Sequence, residues 1–186
     1  MRKAFLLLMI LGVGLFVLNH RREHRHDDDT YLQQLEHMLE CTDWRVYEDS
    51  SYGYAIRYPS CFLPASAEGE VDARFVYVEQ MPLREITYIS LEASTQVCRD
   101  SLNPYRDMQR IAEAVNGVCL RKSDTEFLMT ARVKSRDTRI TAFRLNAKYV
   151  LRQRLWFVET LIYPEDFAPA VQRLVHEVDE WKPFEE

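Results

Sequence analysis

An uncharged run of fifteen residues, Ala4 to Leu18 (AFLLLMILGVGLFVL), stands between Arg2-Lys3 and the charged string Asn19, His20, Arg21, Arg22. No soluble domain of ordinary size begins this way, so the chain divides into a membrane-directed leader and everything after it. As a helix the run spans about 22 Å at about 1.5 Å per residue, which crosses a hydrocarbon core of about 30 Å only with the flanking Arg and Lys snorkelling. The residues that follow offer no small-x-small pair for a signal peptidase, and no cysteine follows closely as a lipid acceptor. The expectation is an uncleaved signal anchor over residues 1–26 with its charged collar, a cleaved signal peptide being the alternative, with the short amino-terminal tail inside and one extracytoplasmic domain, residues 27–186, outside.

Charge separates the two parts as sharply as hydropathy. The chain has 24 Lys and Arg and 29 Asp and Glu; five of the former and one of the latter fall in the first 26 residues, leaving 19 and 28, a net of −9, for the domain. An acidic domain repels nucleic acid, whose phosphates reward clustered Lys and Arg. Of five glycines, Gly12 and Gly14 lie in the leader, and Gly53, Gly69 and Gly117 are too scattered to form a phosphate-cradling loop, so a nucleotide is excluded as well.

Along the domain the apolar period alternates between helix and strand. Tyr31, Leu32, Leu35, Met38 and Leu39 predict a helix from about Asp28, with Asp27 to Asp29 to cap it. A period of two then predicts strands at 44–48 and 54–58 around the turn DSSYG, and another hairpin at 74–80 and 86–93 around a Met-Pro pair. Asn103 and Pro104 predict the cap and first turn of a helix carrying Met108, Ile111, Ala112 and Val115 to an end at Asn116-Gly117. Strands follow at 118–121, 126–134, 139–149 and 155–163, with turns at SRDT (135–138) and LRQR (151–154). A closing helix carries Phe167, Ala170, Val171, Leu174, Val175, Val178 and Trp181 on one face. Strands joined by short turns, with amphipathic helices between and after them, predict an α+β domain: a largely antiparallel sheet flanked by helices.

Two stretches, YGYAIRYPSCFLP (52–64) and LWFVETLIYPEDF (155–167), resemble the PsbP/Mog type of domain. Tyr52, Gly53, Tyr54, Ile56, Tyr58 and Pro59 match an early strand of that family, and Ile162, Tyr163 and Pro164 a late strand that feeds the closing helix. The resemblance covers about Tyr47 to Phe184. It implies an antiparallel sheet flanked by helices and a non-enzymatic accessory or binding role with a protein partner. Ser60 and Cys61 stand where the family often carries an acidic residue, so the resemblance is to a divergent form of that domain.

The chemistry available is sparse. Cys41, Cys61, Cys98 and Cys119 form an even set without CxxC spacing. Cys41 and Cys61 flank the first hairpin, whose turn about Ser51 pairs residues summing to about 102, and Cys98 and Cys119 flank the helix from Pro104. The expected disulfides are Cys41 with Cys61 and Cys98 with Cys119, one of three connectivities, the alternative being four reduced, buried thiols. His37, Cys41 and Cys61 lack a fourth metal ligand, and HRREHRHDDD (20–29) reads as a solvated linker, so no metal and no cofactor is expected. His37 and His176 fall on polar helix faces, and no G-x-S-x-G positions a nucleophile. The aromatics Tyr52, Tyr54, Tyr58, Phe62, Trp156 and Tyr163 read as packing. A membrane-anchored, non-catalytic envelope module is therefore expected, the alternatives being an envelope hydrolase with a non-local site and a chaperone or immunity-type partner of a secreted protein.

Overall fold

The computed structural model describes residues 30–67, 69, 71–81, 84–134 and 142–184. The expected anchor and collar, the Asp27 to Asp29 cap and the SRDT turn lie outside the described residues. Among those residues no helix is long and apolar enough to cross a membrane.

Helix α1 (30–41) lays Leu35 and Leu39 into the core, with Tyr31, Leu32 and Met38 beside them, the face its apolar spacing marks. Strands β1 (Trp44–Glu48) and β2 (Ala55–Pro59) make a two-stranded hairpin of their own. Asp49 closes its turn by accepting from Ser51 N (2.9 Å) and Tyr52 N (2.7 Å), and Gly53 takes the left-handed φ of 68° that a side chain resists. Trp44 faces Pro59, one residue out of step with the symmetric register about Ser51, so the paired numbers sum to 103 and the extended ladder sets Thr42, not Cys41, against Cys61. One face of this hairpin, Tyr47, Ile56 and Tyr58, covers the main sheet; Tyr58 stacks on Phe75 with ring centroids 3.8 Å apart.

The main sheet has seven strands: β3 (Leu63–Pro64), β4 (Ala73–Met81), β5 (Arg84–Val97), β6 (Val118–Arg121), β7 (Glu126–Lys134), β8 (Ala142–Arg152) and β9 (Leu155–Pro164). They lie in the order β3-β4-β5-β9-β8-β7-β6, every pair antiparallel. After the β4-β5 hairpin the chain crosses the sheet through α2 (Pro104–Ala114), reaches the far edge at β6 and meanders back until β9 pairs with β5. Asn103 caps α2 by accepting from Arg106 N at 3.2 Å, as its sequence position predicts. Gly117 has a steric reason to be glycine: a Cβ there would meet the Thr130 carbonyl oxygen at 2.8 Å.

Each face of the sheet has its own core. Under α2, Met108 and Ala112 pack against Phe127, Met129, Ala147, Tyr149, Trp156 and Val158. On the other face α1, the hairpin and α3 (Gln172–Glu180) enclose Ile89, Leu91, Phe157, Leu161 and Tyr163. Each fully buried large side chain contributes about 1.5–3 kcal/mol. Arg173 of α3 ties the helices together by donating to the Leu39 carbonyl at 3.0 Å and to that of Glu40, two acceptors left over at the end of α1.

The closing helix is shorter than its apolar stripe. Phe167 sits in a 3-10 turn (Glu165–Phe167), and Trp181 leaves the helix with extended dihedrals, φ −52° and ψ 134°. Pro183 steers Lys182, the residue before it, out of the helical region, so the helix cannot continue past this point. Trp181 Nε1 then donates to the Ala55 carbonyl at 2.7 Å, and Ala55 N to the Pro183 carbonyl at 2.9 Å, so the last residues zip onto β2.

Candidate functional site

Where β8 and β9 run side by side on the face covered by α3, Lys148 stands opposite Glu159. Both are buried, at 5% and 3% exposure, in a row otherwise made of Leu128, Val150, Phe157 and Leu161. Two long polar side chains in such a row need partners, and only one is well supplied. Lys148 Nζ donates to the Asp179 carbonyl at the end of α3 (3.1 Å) and lies 3.7 Å from the Glu126 carboxylate. Glu159 Oε2 has no hydrogen-bond partner among the described residues. Burial first, and the nearby Glu177 carboxylate second, push the Glu159 carboxyl well above its ordinary range, against a smaller downward pull from Lys148.

Glu159 lines a cleft of about 1820 Å³. One wall is the outer face of the hairpin, Val46, Glu48 and Arg57, together with Asp49 in the turn. The floor is Glu126, Val150 and Arg152 from β7 and β8. The opposite wall is Glu177 and Glu180 of α3 with the segment Trp181 to Phe184. Six carboxyl side chains face three basic ones, so the cleft is acidic. Arg57 is engaged with Glu177 at 3.7 Å, and Arg152 lies over the Phe184 ring, 4.2 Å from its centroid. The arrangement offers charge, an apolar wall and a buried carboxyl, which are the means of binding.

A smaller hollow of about 350 Å³ lies across the other end of β7 and β8. There Glu165 is clasped by Arg132 at 2.6 Å and Arg144 at 3.3 Å, an ion-pair network that satisfies itself.

The histidines and cysteines weighed from the sequence are dispersed. His37 and His176 are exposed on the outer faces of α1 and α3, away from the cleft lining. His37 meets Cys41 Sγ at 3.7 Å on the solvent side of α1. All four cysteines are free thiols, so the expected Cys41-Cys61 and Cys98-Cys119 pairs are not joined. The second pair has a topological obstacle. Cys98 follows β5 and Cys119 lies in β6, four ladder steps away, about 19 Å at about 4.8 Å per strand, whereas a disulfide needs Cα atoms within about 7 Å. Cys61 faces the Thr42 hydroxyl; burial pushes its thiol up and that contact draws it partly back. Burial likewise pushes up Cys98, with Asp107 adding to it, and Cys119. Of the expected aromatics, Tyr54, Tyr58, Phe62, Trp156 and Tyr163 are core residues, and Tyr52 stays half exposed.

Lys148 and Glu159 were the residues that sequence patterning passed over. The available signal was Glu159 itself, the lone charge in LWFVETLIY, but its partner depends on the β8-β9 register.

No protein-family model and no curated protein sequence matches the chain. Solved structures do. The Ran-binding protein Mog1p of Saccharomyces cerevisiae superposes with a TM-score of 0.53 at 12% identity, covering 74% of this chain and 93% of that one. The chain has the PsbP/Mog-type fold. Cyanobacterial PsbP (CyanoP) from Synechocystis, 17% identical, matches with a TM-score of 0.49 over 74% of this chain and 90% of its own. PA94 of Pseudomonas aeruginosa, a protein of unknown function described as a putative regulator, is 13% identical, with a TM-score of 0.46 over 77% and 99%. The residues that carried the resemblance are those that hold the PsbP/Mog-type frame. Gly53 makes the hairpin turn, Tyr54, Ile56 and Tyr58 are buried beneath it, and Pro164 ends β9 before the helical close.

Proposed function

We propose that this chain is a membrane-anchored envelope protein whose PsbP/Mog-type domain is a non-catalytic module that binds a protein partner in the cleft between the hairpin and α3. The observation that carries the reading is the cleft itself. At about 1820 Å³ it exceeds the roughly 300–1,000 Å³ that suits a small molecule, and its walls come from three separate parts of the chain. The fold it is built on is also that of a Ran-binding protein, which supports protein recognition as the use of such a frame. The uncharged run and basic flanks of residues 1–26 support the anchor and the extracytoplasmic placement of the domain.

A photoreactive benzoylphenylalanine placed at Val46, exposed on the cleft wall, tests the reading in cells. A discrete crosslinked adduct at Val46, with none at the exposed Leu63 in edge strand β3, outside the cleft lining, is the expected result. Adducts at neither site would refute a cleft-bound protein. An alkaline-phosphatase fusion at the carboxyl terminus should be active; a fusion silent in its phosphatase and fluorescent only as a cytoplasmic reporter would reverse the orientation.

A further inference from the structure

The charges of the cleft are unevenly matched. Arg57 is paired with Glu177, Arg152 is drawn over Phe184, Lys182 stands exposed beside α3, and Lys148 reaches beneath the floor to Asp179 and Glu126. Glu48 and Glu180 stand exposed on opposite walls. Between them, at the floor, Glu159 lines the cleft, with Oε2 buried and receiving no hydrogen bond among the described residues. A buried oxygen without a donor costs about 1–3 kcal/mol, and a donor delivered to it recovers that cost.

We propose that the cleft receives a basic segment of a partner protein and that one of its Lys or Arg side chains reaches down to Glu159. This rests on the binding-module reading given above and names the chemistry of the partner. A long cationic side chain suits each feature: its apolar stem lies along Val46 and Trp181, and its head donates to the carboxyl at the floor. Glu48 and Glu180 at the walls then favour further positive charge on either side of that residue. A bare divalent cation fits less well, because among the described residues no three His, Cys, Asp or Glu side chains converge closely enough to ligate one. Nucleic acid is repelled by the same carboxylates.

The test is fluorescence anisotropy on the full chain in dodecyl maltoside micelles, with a fluorescein-labelled decapeptide of alternating Arg and Ser and a matched Glu-Ser decapeptide. The Arg-Ser peptide should bind and the Glu-Ser peptide should not. Glu159→Gln, which keeps the shape but cannot release a proton to become the carboxylate that an arriving cation favours, should weaken binding by about tenfold or more. The double variant Glu48→Gln, Glu180→Gln, both at exposed positions, should weaken it several-fold, and it carries the test if circular dichroism shows Glu159→Gln misfolded. Asp124→Asn, an exposed loop acid outside the cleft, controls for the overall negative charge and should change affinity less than about twofold. Equal losses in Glu159→Gln and Asp124→Asn, or no binding of the Arg-Ser peptide, would overturn the proposal. A Val46 crosslink that survives in Glu159→Gln would overturn the cationic contact and leave the binding module standing; loss of any crosslink at Val46 in the unmodified chain would bring down both.

Discussion

The indole of Trp156 donates from Nε1 to Asp107 Oδ2 across 3.0 Å, both residues sealed from solvent. This bond fixes α2 to the middle of the sheet. The same oxygen accepts from Arg99 N at 3.0 Å, and Oδ1 accepts from Arg110, so one carboxylate joins the exit from β5, the first turns of α2 and strand β9. Its place in the helix also sets a negative group near the α2 amino terminus, where the helix dipole favours it. Asp107→Ala strands the buried Trp156 indole and leaves the Arg99 amide unpaired, and should cost about 2–3 kcal/mol. Asp107→Asn keeps an acceptor oxygen and should cost about 1 kcal/mol. Urea unfolding followed by tryptophan fluorescence distinguishes them; equal midpoints for Ala and Asn would show that the helix is held by packing alone.

Glu159 gives the fold a pH dependence of predictable sign. Its carboxyl is pushed up in the folded chain by burial first and Glu177 second, whereas in the unfolded chain it titrates at the ordinary glutamate value of 4.5. Below that value both states hold the proton and the contribution is constant. As pH rises from 4.5 toward the raised folded value, the unfolded chain sheds the proton first, so this residue makes the fold less stable as pH rises. Glu159→Gln removes the decline. Chemical unfolding of both forms across pH 4 to 8 should give curves that meet near the acid end and separate upward, the variant being more stable; parallel curves would count against a protonated Glu159.

Most strands and the helix faces were legible because they follow local rules that this chain obeys, whereas β3 was not marked and β8 runs to Arg152, inside the expected LRQR turn. Leu35 and Leu39, Met108 and Ala112, and Leu174 and Val178 fall inward as their helical spacing requires. Strand β7 (Glu126–Lys134) has the bounds marked by the alternation of Phe127, Met129, Ala131 and Val133. The site was less legible because it depends on pairing across the sequence. Glu159 meets Lys148 through a turn that no turn-forming dipeptide announces, and the cleft needs the carboxyl-terminal residues to fold back on β2. Trp181 read as the last step of a helical stripe, yet its indole is used on the hairpin. The cysteine arithmetic failed for a related reason: flanking a helix says nothing about how many strands that helix crosses.

Thiol reactivity should follow burial and position. Cys41 is exposed at the end of α1, while Cys61 and Cys119 are half-buried and Cys98 is buried. The last three are pushed up by burial, which leaves less thiolate at a given pH and slows alkylation. With maleimide under native conditions Cys41 should be modified first and Cys98 last, the latter only at the rate of local or global unfolding. Mass mapping of a time course checks the order; Cys98 labelled as fast as Cys41 would place the loop after β5 in solvent.

The turn between β8 and β9 is a two-residue connection with both residues left-handed: Gln153 at φ 51° and Arg154 at φ 69°. That is the backbone of a type I′ turn, whose twist suits a hairpin, and it is ordinarily built from Asn-Gly. Gln and Arg adopt it at a cost of about 1 kcal/mol or more apiece, because their Cβ crowds the backbone. Two fixed neighbours hold the conformation. The β8-β9 ladder reaches Arg152 opposite Leu155, and the Arg154 carbonyl accepts from Cys98 N at 2.9 Å, tying the turn to the end of β5. Replacing the pair by Asn-Gly keeps that carbonyl and relieves the crowding, partly offset by the greater freedom glycine has when unfolded. A net stabilisation of about 1 kcal/mol is expected, read as a rise in the urea midpoint with an unchanged slope. Since Arg152, one residue before the turn, reaches Phe184 at the cleft, binding of the Arg-Ser peptide should be unaffected if the turn's strain is only structural. A stabilised variant that lost this binding would instead tie the strained backbone to the placement of Arg152 in the cleft.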